Sequence, residues 1–474
     1  MRLLIKHGTV VNSSGRVPSD ILCVDGKIVS IEAPGSLSSV DDEIDASGLL
    51  VFPGFIDPHV HSRDPGLTHK EDFAHSSRAA AAGGITTLLE MPNSVPPVTD
   101  VATLREKARN FEQSAFVDFG LWALSLGSGN LQEIPSLVDE GVVGVKLFWG
   151  YALHRVTKQL VYNLADEPPE NLILPPDNGV VLELFSVIAK TGALLAAHCE
   201  DRGVLESAQR ALARPLSSYE DLLAARPDTA EAAAIALGVE FSRATGCRFH
   251  VVHMSSERGA VLVRQAQKDG IAISAETCPQ YLSLTDQDFA SIGPLMKVYP
   301  PVRAARDQEG LWRAVGDGTI CSVGSDHAPH TADEKRQSLA VQPAGAIGVE
   351  TLVPLMLDHM SKGRIEAERL AWVLAEGTAR LYGLYPQKGA ILPGSDADFT
   401  LVDPQADFTI LNERLHSKHS VSPWHGRSGK GRARLGILRG EVIMRDGSPD
   451  GPPRGQFVRS NAPPPARGYA RSLR

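Results

Sequence analysis

The chain is short of positive charge, of cysteine and of long apolar runs. Its 47 Lys and Arg stand against 56 Asp and Glu, a formal net charge of −9. Phosphate neutralisation needs clustered cations, so nucleic acid is not an expected partner. Cys23, Cys199, Cys247, Cys278 and Cys321 are five in number and lack C-x-x-C spacing, which reads as reduced thiols in a cytoplasmic enzyme. The opening run Met1–His7 is too short for a signal peptide, and nothing later is long enough to span a bilayer. No membrane partner is expected. What the chain does have is 474 residues, 43% of them apolar, enough for a large core and more than one typical domain.

The first part of the chain reads as short strands, with Asp25-Gly26 as a two-residue hairpin turn between Ile21–Val24 and Lys27–Ile31. From Phe52 the pattern changes. Eight strand-like runs (Val51–Ile56, Gly84–Met91, Ala115–Trp122, Val142–Phe148, Ala193–Ala197, Cys247–Val252, Ile271–Ala275, Thr319–Gly324) alternate with helical stretches such as Lys70–Ala82, Asp100–Gln113, Val180–Lys190, Thr229–Ala244 and Glu257–Lys268. Repeated strand–helix alternation implies parallel strands, and eight of them predict an α/β fold of the (β/α)₈ TIM-barrel type. After a helix near Glu366–Tyr382, strands return at Gly389–Gly394, Ala397–Val402 and Leu435–Met444. The expected organisation is one small β-sandwich domain from residues 1–51 plus 386–450, a barrel over 52–385, and a tail over 451–474 that reads as a frayed terminus. The segment Tyr151–Asn178 is long for a βα connection and reads either as a lid or as an insertion without function.

Polar residues collect where these strands end. The first strand closes in Asp57-Pro-His59-Val-His61, whose two imidazoles share one face because strand residues two apart do. The fifth ends at His198, the sixth at His253 and the eighth at Asp326, while Lys146 sits inside the apolar fourth strand. Barrel enzymes keep their chemistry at the carboxyl ends of the strands, so this sorting makes a metal centre the preferred reading. An amine inside a barrel is costly unless paired or deprotonated. Lys146 therefore either pairs with Asp326 or takes up carbon dioxide as a carbamate that bridges two ions, an arrangement suited to activating a shared water.

Asp57-Pro-His-Val-His, Gly144-Val-Lys, Ala197-His-Cys-Glu, Val252-His-Met-Ser-Ser and Ser325-Asp-His-Ala-Pro-His resemble the amidohydrolase superfamily, and within it the cyclic amidohydrolases: dihydroorotases, allantoinases and hydantoinases. The resemblance implies two divalent ions, zinc by default, held by His59, His61 and Asp326 on one side and His198 and His253 on the other, with carboxylated Lys146 between. It also implies that Asp326 carries a proton from water to the leaving nitrogen, and that the enzyme is a homo-oligomer, a dimer or tetramer, acting on a small cyclic amide. Arg63 and Asn93 match the dihydroorotase pattern for holding a carboxylate, and His330 matches a further contact there. On those grounds a dihydroorotase-like activity is expected first. Tyr151 matches the hydantoinase tyrosine that meets the developing oxyanion, Glu276-Thr-Cys-Pro-Gln-Tyr281 looks like hydantoinases and allantoinases, and Tyr299 stands where dihydroorotases usually have Asn. Allantoinase or hydantoinase activity is thus the alternative. Arg63 has a plainer reading as a partner of Asp64 or Glu71. A catalytically dead scaffold would be expected to lack ligands, and a mononuclear deaminase would not need Lys146. His250, three residues before His253, is expected to face away and pack under a helix, and His69, His75, His154, His359 and His416 to face solvent.

Overall fold

A computed structural model describes residues 2–38, 40, 42–161 and 167–461. Eight parallel strands form the barrel: β1 (Phe55–Val60), β2 (Ile85–Glu90), β3 (Asp118–Leu121, continued by Ala123–Leu124), β4 (Val145–Trp149), β5 (Leu194–Cys199), β6 (Arg248–Val251), β7 (Ile273–Thr277) and β8 (Ser322–Val323). They pair in that order, and β8 closes onto β1 through a parallel bridge between Val60 and His327, with His61 N–H donating to His327 O at 2.8 Å. Alternation along each strand sends one set of side chains in and the other out. Ile56, Leu89, Leu194, Ala196 and Cys321 belong to one apolar cluster. Their neighbours Phe55, Leu88, Leu195 and Ala197 belong to the larger cluster shared with the surrounding helices.

The helices start where a short polar side chain precedes the apolar run. Asp72, Asp100, Asp177 and Ser256 each accept a backbone N–H of the first turn of Phe73–Gly83, Val101–Glu112, Asn178–Thr191 and Glu257–Lys268, satisfying donors that the helix itself leaves orphaned.

Both ends of the chain meet in one nine-stranded sheet, the small β-sandwich beside the barrel. Leu50–Pro53 lies at its middle, parallel to Arg2–Asn12 and antiparallel to Phe399–Thr409. Bulges in Arg2–Asn12 and Phe399–Thr409 bend it over Leu3, Ile5, Ile21, Phe399 and Leu401. The Asp25-Gly26 turn is as expected, with φ of 49° and 79°.

Several sequence expectations change here. The run Val51–Ile56 is two strands: Leu50–Pro53 belongs to the end sheet, and the barrel begins at Phe55 after Gly54. A Cβ at Gly54 would sit 2.2 Å from Thr86 Oγ1, so the crossing between the two units needs glycine. Gly389–Gly394 is a turn, not a strand. His359 is buried, 2.7 Å from Ser283 Oγ. The tail is not frayed where it is described: Gly455 N–H donates to Ala115 O at 2.7 Å and Val458 N–H to Phe119 O at 2.8 Å, sealing the amino-terminal end of β3. In the long connection, Ala152–His154, Leu160–Val161 and Leu172–Ile173 form a small antiparallel sheet. No helix among the described residues is long and apolar enough to cross a membrane.

Candidate metal centre

The site is built on the carboxyl ends of the strands. Asp57 Oδ1 accepts the N–H of Ser325 at 3.0 Å and that of His59 at 3.2 Å, clipping the end of β1 to that of β8. Burial pushes the Asp57 carboxyl up to about 6. His59 at the end of β1 and His61 just beyond it are each fixed from behind. His59 Nδ1 lies 2.6 Å from Glu276 Oε1 on β7, and His61 Nδ1 lies 2.7 Å from Asn93 Oδ1 beyond β2. With Nδ1 engaged, Nε2 is the nitrogen left to bind. The two Nε2 atoms stand 3.4 and 3.5 Å from Asp326 Oδ1. Two donors about 2.0–2.1 Å from one tetrahedral ion are roughly 3.3 Å apart, so the trio has the spacing of ligands around a single ion. Its ligand atoms lie within 4.8 Å of one another.

A second pair faces the first. His198 Nε2 is held 2.8 Å from Glu200 Oε2, which turns Nδ1 toward His253 Nε2 at 3.1 Å. Burial pushes His61 down to about 3 and lowers His198 and His253 as well, leaving neutral imidazoles, the form that binds metal. Burial works against the charge on Asp326, but the neighbouring His59 outweighs it and holds the carboxyl well below the usual carboxylate range.

Lys146 completes the set from β4. It is wholly buried, its Nζ has no hydrogen-bond partner, and it sits 5.2 Å from the centre of the Phe148 ring. The ion pair with Asp326 considered from the sequence is not formed. Burial pushes the amine down to about 8, against the opposing fields of Glu276 and Asp326. A buried cationic nitrogen without an acceptor is a poor end state for a folded protein. A carbamate there would carry acceptor oxygens toward the imidazoles, so the donor set fits a two-ion centre bridged by modified Lys146.

Backbone strain marks the same place. Arg63, His253 and Asp326 have φ of 59°, 37° and 49°, left-handed values that side chains other than glycine adopt at a cost. The bend at His253 also corrects the expectation for His250. Strand alternation ends at Val251, so both histidines point into the barrel. His250 lies beneath the site, with Nδ1 2.8 Å from Ser274 Oγ and Nε2 3.5 Å from Glu276 Oε2.

Arg63 and Tyr151 line a cavity of about 50 Å³ together with His59, His61, His198, His253 and Asp326. Arg63 is buried, its Nε donates to Pro329 O at 3.1 Å, and it pairs with neither Asp64 nor Glu71. Those carboxylates accept from Phe73 N–H and from Lys418 N–H. Asn93 stands behind His61, as described. His330 lies outside the cavity wall, its Nε2 donating to Ala344 O at 3.1 Å and its Nδ1 3.2 Å from Lys70 Nζ. Sequence reasoning missed Glu276, Glu200 and Arg226. A carboxylate inside apolar β7 carried the same signal as Lys146 in β4, and Glu200 follows His198 at the spacing of His61 after His59. Nothing in the sequence near Arg226 marked it.

The model of the amidohydrolase family matches residues 50–443. An allantoinase of Rubrobacter xylanophilus is 37% identical over 461 residues, covering 96% of this chain and 97% of that protein. An L-hydantoinase of Paenarthrobacter aurescens is 34% identical, covering 94% and 95%. Among solved structures, the L-hydantoinase (dihydropyrimidinase) from Arthrobacter aurescens superposes with a TM-score of 0.90 at 34% identity, covering 96% of this chain and 99% of that one.

Proposed function

The chain belongs to the amidohydrolase family, as one of its cyclic amidohydrolases, and on that premise we propose that it opens a five-membered cyclic ureide at a ring C–N bond, with allantoin as first substrate and 5-substituted hydantoins as second. That it is a hydrolase of cyclic amides follows from its relatives; the ring, the ions and the residue roles are the proposal. The observation that carries it is the convergence of four imidazoles, Asp326 and the unpaired Lys146 amine beside Arg63 and Tyr151. The carboxylate-bearing ring expected first ranks behind, because Asn93 is engaged with His61 and the relatives are named for allantoin and hydantoins.

In this reading His59, His61 and Asp326 would hold one divalent ion and His198 and His253 the other, with carboxylated Lys146 as a further ligand. The neutral Lys146 amine would add to carbon dioxide, an N–C bond forming as one C=O π bond breaks and one amine proton passing to solvent, so that the residue would end as an anion. Two such ions, zinc by default, would when bound supply Lewis-acid chemistry to water and to the scissile carbonyl. Asp326 accepts the proton of the attacking water and returns it to the leaving ring nitrogen, since an amide nitrogen leaves poorly without one. The Tyr151 hydroxyl donates to the oxygen that gains charge. Arg63 reaches the carbonyl of the ring substituent, a planar acceptor that suits a guanidinium.

The test is ring opening by the zinc-loaded enzyme on allantoin, 5-substituted and unsubstituted hydantoins, dihydrouracil and dihydroorotate. Allantoin is expected to be opened at least ~10-fold faster than dihydroorotate, and the opposite ranking would refute the choice of ring. Arg63→Ala should cost allantoin about 10- to 100-fold in kcat/KM, the worth of a charge-assisted hydrogen bond, and unsubstituted hydantoin far less.

A further inference from the structure

We propose that Arg226, one layer behind the cavity wall, is a positioning residue for the reaction, setting the Tyr151 hydroxyl with the same guanidinium that braces His198 through Glu200. The inference deepens the ring-opening reading above and rests on it.

Arg226 lies between the helices Tyr219–Ala225 and Asp228–Thr245 and is followed by Pro227, so two helix ends fix its backbone. Its carbonyl accepts from Arg303 Nη1 at 3.1 Å. The side chain is buried and is bonded through Nε and Nη2. Nε donates to Glu200 Oε1 at 3.1 Å, and Nη2 donates to Glu200 Oε2 and, at 2.5 Å, to the Tyr151 hydroxyl oxygen. The guanidinium carbon stands 3.6 Å over the ring of Tyr299. Tyr151 and Tyr299 line the cavity, whereas Arg226 and Glu200 do not. The chain therefore runs from the cavity wall through Arg226 to Glu200 and on to His198 Nε2 at 2.8 Å.

The direction of the hydrogen bonds gives this arrangement its consequence. A phenol oxygen that accepts from a guanidinium has one proton of its own to donate. In the resting site the hydroxyl donates to Glu200 Oε2 at 3.4 Å, a weak bond beside the roughly 2.5–3.0 Å of an ordinary O–H···O contact, so a stronger acceptor in the cavity can take the proton over. A cation behind the oxygen also strengthens the hydrogen bond that the oxygen donates. Arg226 thus aims the hydroxyl and makes it a better donor to charge that develops in the transition state. A merely structural Arg226–Glu200 ion pair would brace the fold and His198 but would have no dependence on the Tyr151 hydroxyl.

A double-mutant cycle separates the two. Wild type, Tyr151→Phe, Arg226→Gln and the double variant are loaded with zinc and assayed for kcat and KM on allantoin and hydantoin, with zinc per chain measured for each. Tyr151→Phe and Arg226→Gln are each expected to lower kcat about 100-fold, the scale of one lost oxyanion donor, with KM within about threefold. The double variant is expected within about threefold of the worse single. Arg226→Lys keeps the charge but cannot hold Glu200 and Tyr151 together, and should lose about 10-fold. If Arg226→Gln does not fold, the same cycle is run with Arg226→Lys. Full additivity in the cycle, or an unchanged kcat in the Arg226 variants, would overturn the proposal while leaving the ring-opening reading intact. A wild type inactive on every ring overturns both.

Discussion

Replacing Lys146 by Met should stabilise the metal-stripped protein even as it destroys the enzyme. The amine is wholly buried without a hydrogen bond, and burial brings it from an ordinary 10.5 to about 8. At about 1.4 kcal/mol per pK unit, the charged form pays about 3 kcal/mol at pH 7. Methionine fills similar volume without charge. The penalty is fully present below pH 8, where folded and unfolded chains both carry the proton. Between pH 8 and about 10.5 the unfolded chain binds more protons than the folded one, so wild-type stability rises with pH there and the advantage of Lys146→Met shrinks. The assay is denaturant unfolding of chelator-treated protein at pH 7 and pH 10, in carbon dioxide-free buffer. Lys146→Met should be about 3 kcal/mol more stable at pH 7 and nearly equal to wild type at pH 10. Adding zinc and bicarbonate should stabilise wild type more than Lys146→Met, which keeps only the site of His59, His61 and Asp326. Equal stability at pH 7, or a difference that does not fall with pH, would refute the view that Lys146 is strained as a bare amine.

Two further outcomes follow from named contacts. Asp326→Asn should lower kcat on allantoin by about 10²-fold or more, as loss of a proton carrier does, in a protein that still folds by circular dichroism; a retained kcat contradicts the proton role. At the opposite end of the barrel, buried Lys388 Nζ lies 2.7 Å from Asp398 and 2.9 Å from Asp396, and also bonds Asp118 on β3. Lys388→Met removes the side-chain cation that pairs with Asp398, while Asp396 keeps Lys27 and Asp118 keeps Arg439, and should cost about 3 kcal/mol in denaturant unfolding, with kcat per folded molecule unchanged.

The barrel and most of the residues that meet at its mouth were legible because the carboxyl ends of barrel strands impose a rule on sequence: polar residues gather where apolar strands stop. His59, His61, His198 and Asp326 all follow it. Legibility failed where the chain departs from regular geometry. Alternation could not place His250, since the strand ends at Val251 and the chain bends at His253 with φ of 37°. Two strands separated by one glycine read as one at Val51–Ile56, because hydrophobicity does not register which sheet a strand joins. The proline- and arginine-rich tail looked unanchored because much of its attachment to β3 is by backbone hydrogen bonds, which composition does not report. Arg226 was invisible for a related reason: its partners Tyr151, Glu200 and Tyr299 are distant in sequence and meet only when the barrel closes. The proposed choice of ring rests on how Arg63 and Asn93 are oriented, and spacing alone does not carry that orientation.

The central claim is a two-ion site bridged by Lys146 that opens a cyclic ureide. Its most direct test is zinc titration of the chelated protein in bicarbonate, following allantoin opening against bound zinc per chain. Activity should rise to a plateau at about two ions per chain in wild type, with neither activity nor the second ion in Lys146→Ala. A plateau at one ion, or a Lys146→Ala enzyme that binds two and turns over normally, would contradict it.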